Sequence, residues 1–170
     1  MTEPREFTPL SVAVLTVSDT RTAADDRSGQ TLRELAAADG HRIADHRIVT
    51  DDRYAIRAVV SAWISDPGVH VGICTGGTGF SQRDVAPEAI EVLFDRTSPG
   101  FGGRFRQLSH ASVGSSTLQS RALAGIANRT LVVALPGSTG ACRDGWSGLL
   151  SEQLDVTHRP CNLAELALGL

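Results

Sequence analysis

Lysine is absent from this chain, and all 16 basic residues are arginine. With 19 acidic residues the net charge is −3, so no basic excess points to a nucleic-acid backbone as partner. Cysteine is scarce. Cys74, Cys142 and Cys161 are too few and too scattered for a disulfide framework, and they form no C-x-x-C pair. The histidines at 41, 46, 70, 110 and 158 lack metal-ligand spacing and read as surface or internally satisfied side chains. No apolar run approaches the ~20 residues needed to cross a bilayer. Met1 to Thr8 is too polar for the apolar core of a secretion signal. The expectation is a cytoplasmic protein engaging neither membrane nor nucleic acid. At 170 residues the chain makes one domain that can bury a core without disulfide or metal staples.

The chain does have a dense run of signals from Val69 to Ala89, VHVGICTGGTGFSQRDVAPEA. It opens with a short, mainly apolar run from Val69 to Cys74, with β-branches at 69, 71 and 73, and glycine stops it, which predicts a short buried strand. Thr75-Gly76-Gly77-Thr78-Gly79 follows, removing Cβ atoms where backbone must turn or approach a ligand closely. Arg83 and Asp84 come next, then Pro87 and Glu88 at a helix start. Strand, glycine loop and helix N-terminus in that order present backbone N–H groups to an anion, usually phosphate. The run matches neither G-x-x-x-x-G-K-[ST] nor G-x-G-x-x-G, so the glycines alone equally describe a plain turn. The adjacent cation and carboxylate are what a metal-assisted phosphate transfer requires.

The remaining chain alternates strand and helix. Residues 1–9 read as an N-terminal arm and Leu10 to Val17 as a central strand. The strand runs into a polar loop with Ser18, Asp19 and Arg21, and Ser28 is placed to cap the next helix. A helix over 29–39 and a strand over 41–49 near a sheet edge are predicted next. Arg53 to Ser65 carries Ile56, Val59, Val60, Trp63 and Ile64 on one helical stripe, with Asp51 or Asp52 as its cap. A helix over 86–94, which Asp84 is placed to cap, leads to a glycine-containing connection over 96–103. Phe101 and Phe105 then look like exposed aromatics on a helix reaching Ser109, and 118–127 reads as helical or mixed. Thr130 to Leu135 is a buried strand, followed by the loop Pro136-Gly137-Ser138-Thr139-Gly140 and a helix to about Leu154. The tail over 156–170 looks weakly structured. This order predicts an α/β fold, a three-layer α/β/α sandwich with a mostly parallel central sheet in one domain over 10–155. The loops at 75–79 and 136–140 leave buried strands at one sheet edge, and their convergence is the expected pocket.

The pieces LTVSDT (15–20), SG (28–29), TGGTGFSQRDVAPEA (75–89), PGFG (99–102), LQSRALAG (118–125) and LPGS (135–138) run in an order that resembles the MoaB/MogA family of molybdenum cofactor biosynthesis proteins. RYAIRAVVSAWI (53–64) and RPCN (159–162) resemble its MoaB branch most. The resemblance implies binding of molybdopterin, and in active members adenylylation of its terminal phosphate by Mg-ATP. It implies Asp51 and Asp84 as catalytic, Mg²⁺-holding acids, and Gly76, Gly77, Thr78 and Gly79 as a phosphate cradle. Ser120 and Arg121 match an element near the pterin. With Ser18, Asp19, Thr75, Arg83, Pro136, Gly137 and Ser138 these form the expected substrate and nucleotide site. The resemblance also implies trimers or paired trimers, and other proteins of the same pathway as partners. The chain departs from the family at Ala86, where a threonine is usual, and after Gly137, where a second proline is missing. A non-catalytic molybdopterin-binding or scaffold protein is the alternative reading. A nicotinamide enzyme is disfavoured, because SDTRTAADD rather than a glycine fingerprint follows the first strand.

Overall fold

The computed structural model describes residues 5–170. A six-stranded sheet forms its middle layer: β1 (Ser11–Val17), β2 (Arg42–Val49), β3 (Val71–Thr75), β4 (Arg96–Thr97), β5 (Leu123–Ala127) and β6 (Thr130–Leu135). Their order is β2-β1-β3-β6-β5-β4, parallel from β2 to β6, with β5 antiparallel to both neighbours. β1, β3 and β6 are apolar on both faces because both faces are covered, as parallel sheets require. One face carries α1 (Arg27–Ala38), α4 (Pro99–Val113) and α5 (Thr139–Gly145). There Val12, Val14, Ile73 and Val133 meet Leu32, Phe105 and Trp146. The other face carries α2 (Arg53–Ser65) and α3 (Ala86–Ile90). There Ala13, Leu15, Cys74 and Val132 meet Ile56, Val60, Trp63 and Ile90. The three-layer α/β/α architecture is therefore as expected, with β2 at an edge.

Several local expectations are corrected. Ser28 does not cap α1. Asp26 does, accepting from Gly29 N at 3.0 Å, while Ser28 Oγ donates to Gly137 O at 2.7 Å. The cap of α2 is Asp52, which accepts from Tyr54 N and Ala55 N, so Asp51 is released from that duty. Nor does Asp84 cap α3, whose N-cap is Val85 without a side-chain bond. The predicted 86–94 helix ends at Ile90 and tightens into a 3-10 turn over Glu91–Leu93. PGFG is the first turn of α4 rather than a connection, since Pro99 is pre-set for a helix start.

Phe101 and Phe105 are buried, only 8% and 1% exposed, so they are core and not surface aromatics. The 118–127 segment splits into the end of a 3-10 turn (Gly114–Gln119) and β5. The helix after β6 continues through a π turn (Trp146–Leu150) into α6 (Ser151–Gln153). The tail is built into the fold: Val156, Asn162 and Ala164 are buried, and α7 (Ala164–Leu168) follows. Asn162 Nδ2 donates to Val156 O and His158 O, which folds the polar stretch back on the core. Of the predicted arm, residues 1–4 lie outside the described residues, and Phe7 rests against His41 with ring centroids 5.4 Å apart.

Candidate functional site

A cleft of about 580 Å³ opens beyond the C-terminal ends of β1, β3 and β6. Its floor is where two loops touch. Gly76 has φ +102°, and a Cβ there would lie 2.3 Å from Val17 O. A Cβ on Gly137 would lie 3.2 Å from Gly76 Cα, so the loops pack backbone against backbone. Hydroxyls tie the second loop in place: Thr75 Oγ1 donates to Pro136 O at 3.0 Å, and Ser28 Oγ to Gly137 O. Ser138 caps α5 by accepting from Ala141 N at 3.1 Å. The glycines thus serve close approach, and the loops expose backbone to whatever enters.

Of the expected residues, Ser18, Thr75, Gly76, Gly77, Thr78, Gly79, Asp84, Ser120, Pro136, Gly137 and Ser138 line this one cleft. Asp19, Asp51, Arg83 and Arg121 do not. Asp51 stands behind the glycine loop. A Cβ on Gly77 would lie 3.0 Å from Asp51 Oδ1, and the carboxylate accepts from Val85 N at 3.4 Å. Asp19 accepts from Asp51 N and pairs with the exposed Arg83. Arg121 clamps the loop from outside. Its Nε donates to Gly79 O at 2.9 Å, its Nη2 to Asp84 O at 2.6 Å, and it pairs with Glu88. Of these four, Arg121 bonds the glycine loop directly, Asp51 packs behind Gly77, and Asp19 and Arg83 pair with each other.

The wall opposite was not foreseen. Phe105, Ser109, Ser112, Ser116 and Gln119, from α4 and the following turn, face the loops, and Asp144 of α5 joins them. The small polar run 111–117 was the available signal, but nothing in its spacing says that it folds back toward the glycine loop.

Electrostatics divide the acids. Asp51 is pushed above the usual carboxylate range, first by burial and then by the Asp84 and Asp19 charges, against the Val85 N–H bond. Asp84 is the reverse. Burial would raise it, but hydrogen bonds from Ser81 and Gly79 and the Arg121 charge together hold it low. Burial pushes the thiols of Cys74 and Cys142 up to about 12 and about 11, so neither is a thiolate nucleophile.

Among the described residues no three His, Cys, Asp or Glu side chains gather into a metal cage. Mg²⁺ asks for less: one or two carboxylates, with phosphate oxygens and water completing its shell. Asp84 in the cleft and Asp51 behind Gly77 fit that donor chemistry, and their mutual repulsion is what a cation relieves.

A stability consequence follows for Asp51. Its folded pKa lies above the unfolded value, so the folded state holds the proton to higher pH. That contribution to stability is present at acid pH and is lost as pH rises through the folded pKa. Asp51→Asn is therefore expected to melt higher than the parent at neutral pH. The gain should shrink to nothing as pH falls below the carboxylate range, which melting curves from pH 3 to 8 would read.

Residues 13–156 match the family model described as "Probable molybdopterin binding domain". Molybdenum cofactor biosynthesis protein B of Escherichia coli (strain K12) is 54% identical over 157 residues, covering 92% of each chain. A crystal structure of a molybdenum cofactor biosynthesis protein B superposes with TM-score 0.86 at 35% identity, over 99% of this chain and 98% of that one. The tungsten cofactor synthesizing protein MoaB of Pyrococcus furiosus gives TM-score 0.76 at 33% identity, over 85% and 92%.

Proposed function

The chain belongs to the MoaB/MogA family of molybdenum cofactor biosynthesis proteins, and from that premise we propose that its cleft binds molybdopterin and transfers the adenylyl group of Mg-ATP to the molybdopterin phosphate. The observation that carries this reading is the meeting of two glycine loops, Gly76–Gly79 and Gly137, beside the ionised Asp84 in one cleft. A phosphate oxygen of molybdopterin attacks the α-phosphorus of ATP. The new P–O bond forms as the bond to the bridging oxygen breaks, and pyrophosphate leaves with the electron pair. Two anions must approach, so the protein's task is to position them and offset their charge. Backbone N–H groups of the glycine loops orient the phosphates. Asp84, with Asp51 behind the loop, would hold the metal, which supplies charge neutralisation between the phosphate groups. Arg121 fixes the loop through its carbonyls, keeping the cradle preorganised. Mass spectrometry of protein incubated with molybdopterin, Mg²⁺ and ATP should detect the AMP-bearing pterin. Bound but unmodified molybdopterin would overturn the transfer step.

A second reading, a molybdopterin-binding protein without catalysis, is favoured by one observation. Asp51 and Arg83 stand outside the cleft lining, Arg83 spent on Asp19. In that case molybdopterin binds and no nucleotide is consumed.

Assembly belongs to the same proposal. With Phe101 and Phe105 buried, the apolar surface lies elsewhere: Phe80 and Leu118, 69% and 74% exposed, flank a shallow groove beside the cleft. Exposed apolar patches of this kind mark contact surfaces, and closed symmetry is the rule for homo-oligomers. We expect trimers or paired trimers. Light scattering should return a threefold or sixfold multiple of 18.0 kDa, and a stable monomer at micromolar concentration would contradict this.

A further inference from the structure

Asp144 is a second carboxylate of the cleft, and the transfer chemistry leaves it unused. It is half-buried on α5, facing the end of α4. Ser112 Oγ donates to Asp144 Oδ2 at 3.1 Å, and Oδ1 takes no hydrogen bond from a described residue. Asp144 forms no ion pair among the described residues. A carboxylate left this way repels phosphate and attracts hydrogen-bond donors. Phosphate therefore belongs at the glycine loops, and the donor-bearing end of a ligand belongs at Asp144. The two ends are well separated, since six helical residues beyond the Ser138 cap place Asp144 about 9 Å along α5.

We propose that Asp144 is a specificity-determining residue of this cleft, its two oxygens accepting the paired N–H donors of a 2-amino-4-oxopyrimidine edge, the edge that a pterin presents. The assignment rests on the molybdopterin reading and extends it by fixing which way the ligand lies. A pterin carries N3–H and a 2-amino N–H side by side and parallel, matched to the two oxygens of a carboxylate as a guanidinium fork is. Adenine sets its amino donor beside the N1 lone pair, which would face a carboxylate oxygen unfavourably. The pterin ring thus occupies the α4–α5 end of the cleft, and adenine does not.

The test uses two small probes, 6-hydroxymethylpterin and 6-hydroxymethyllumazine. The second replaces the amino donor with a carbonyl acceptor. Fluorescence titration of the unaltered protein should show the pterin binding at least about tenfold more tightly, the discrimination expected of one good bidentate pair. Asp144→Asn, which puts a donor where an acceptor is needed, should erase that preference while leaving the affinity for ATP unchanged. Equal binding of the two probes by the unaltered protein overturns the assignment, and that arm needs no variant to fold. A preference that survives in a folded Asp144→Asn protein also overturns it, while leaving the proposed function standing. If neither probe binds, the molybdopterin reading fails with it.

Discussion

Asp84→Asn should lower adenylyl transfer by about 10²–10³ while leaving the melting temperature almost unchanged. Asp84 lines the cleft and caps no helix. Its Oδ2 accepts from Ser81 N at 2.8 Å, and an amide oxygen can keep that bond. What the substitution removes is charge. The low-lying pKa means the carboxylate stays ionised across the physiological pH range, so its charge is available to a cation there. A depressed carboxylate contributes stability above its unfolded pKa and loses it as pH falls through the folded one, but this group is too open to water for that contribution to be large. Turnover and melting measured on one preparation check the expectation. Early melting with normal turnover of the folded fraction would make Asp84 structural.

Gly76→Ala should cost more than about 3 kcal/mol of stability and abolish ligand binding with it. The residue has φ +102°, outside what an L side chain adopts at ease, and its new Cβ would lie 2.3 Å from Val17 O. Neither side can yield. Val17 ends β1 and Gly76 follows β3, neighbours in the middle of the sheet. Gly137 presses on the same point, so a displaced Gly76 also parts the two loops that make the cleft floor. Gly100→Ala is the internal control. It sits in α4 with nothing within 4 Å of its Cβ position, and there alanine should be neutral or stabilising by about 0.5–1 kcal/mol. Denaturant melts of the pair give the contrast directly.

The three central strands were legible because they are buried on both faces and so read as short apolar runs: LSVAVLTV, VHVGICT and TLVVAL needed no context. α2 was legible because Ile56, Val60 and Trp63 keep a strict helical stripe, and the structure buries all three. β5 was not. LAGIA is small and carries Gly125, which has no side chain because Phe94 fills the space: a Cβ there would lie 2.2 Å from Phe94 Cδ2. That need arises from a residue 31 positions away, so local pattern cannot show it.

The cleft floor could be read because turn chemistry and strand order both point to one sheet edge. The division of labour among the acids could not. Asp51 and Asp52 are adjacent in sequence, and only the chain direction at the start of α2 decides that Asp52 turns to the Tyr54 and Ala55 amides while Asp51 faces Gly77. Arg121 matched a motif near the pterin, yet its guanidinium spans loop carbonyls, a role set by a contact 42 residues away. The serine-rich wall and Asp144 reach the cleft through the packing of α4 against α5, which no short-range signal encodes.

Pyrophosphate released from Mg-ATP by the purified protein, measured with and without molybdopterin, decides whether the cleft transfers an adenylyl group. One pyrophosphate should appear per molybdopterin consumed. Almost none should appear when the pterin is omitted, if the attacking group is the pterin's phosphate and not water, and none when the metal is chelated. Pyrophosphate release that is indifferent to molybdopterin would overturn the proposed transfer. So would molybdopterin that binds and is recovered unchanged with every nucleotide offered.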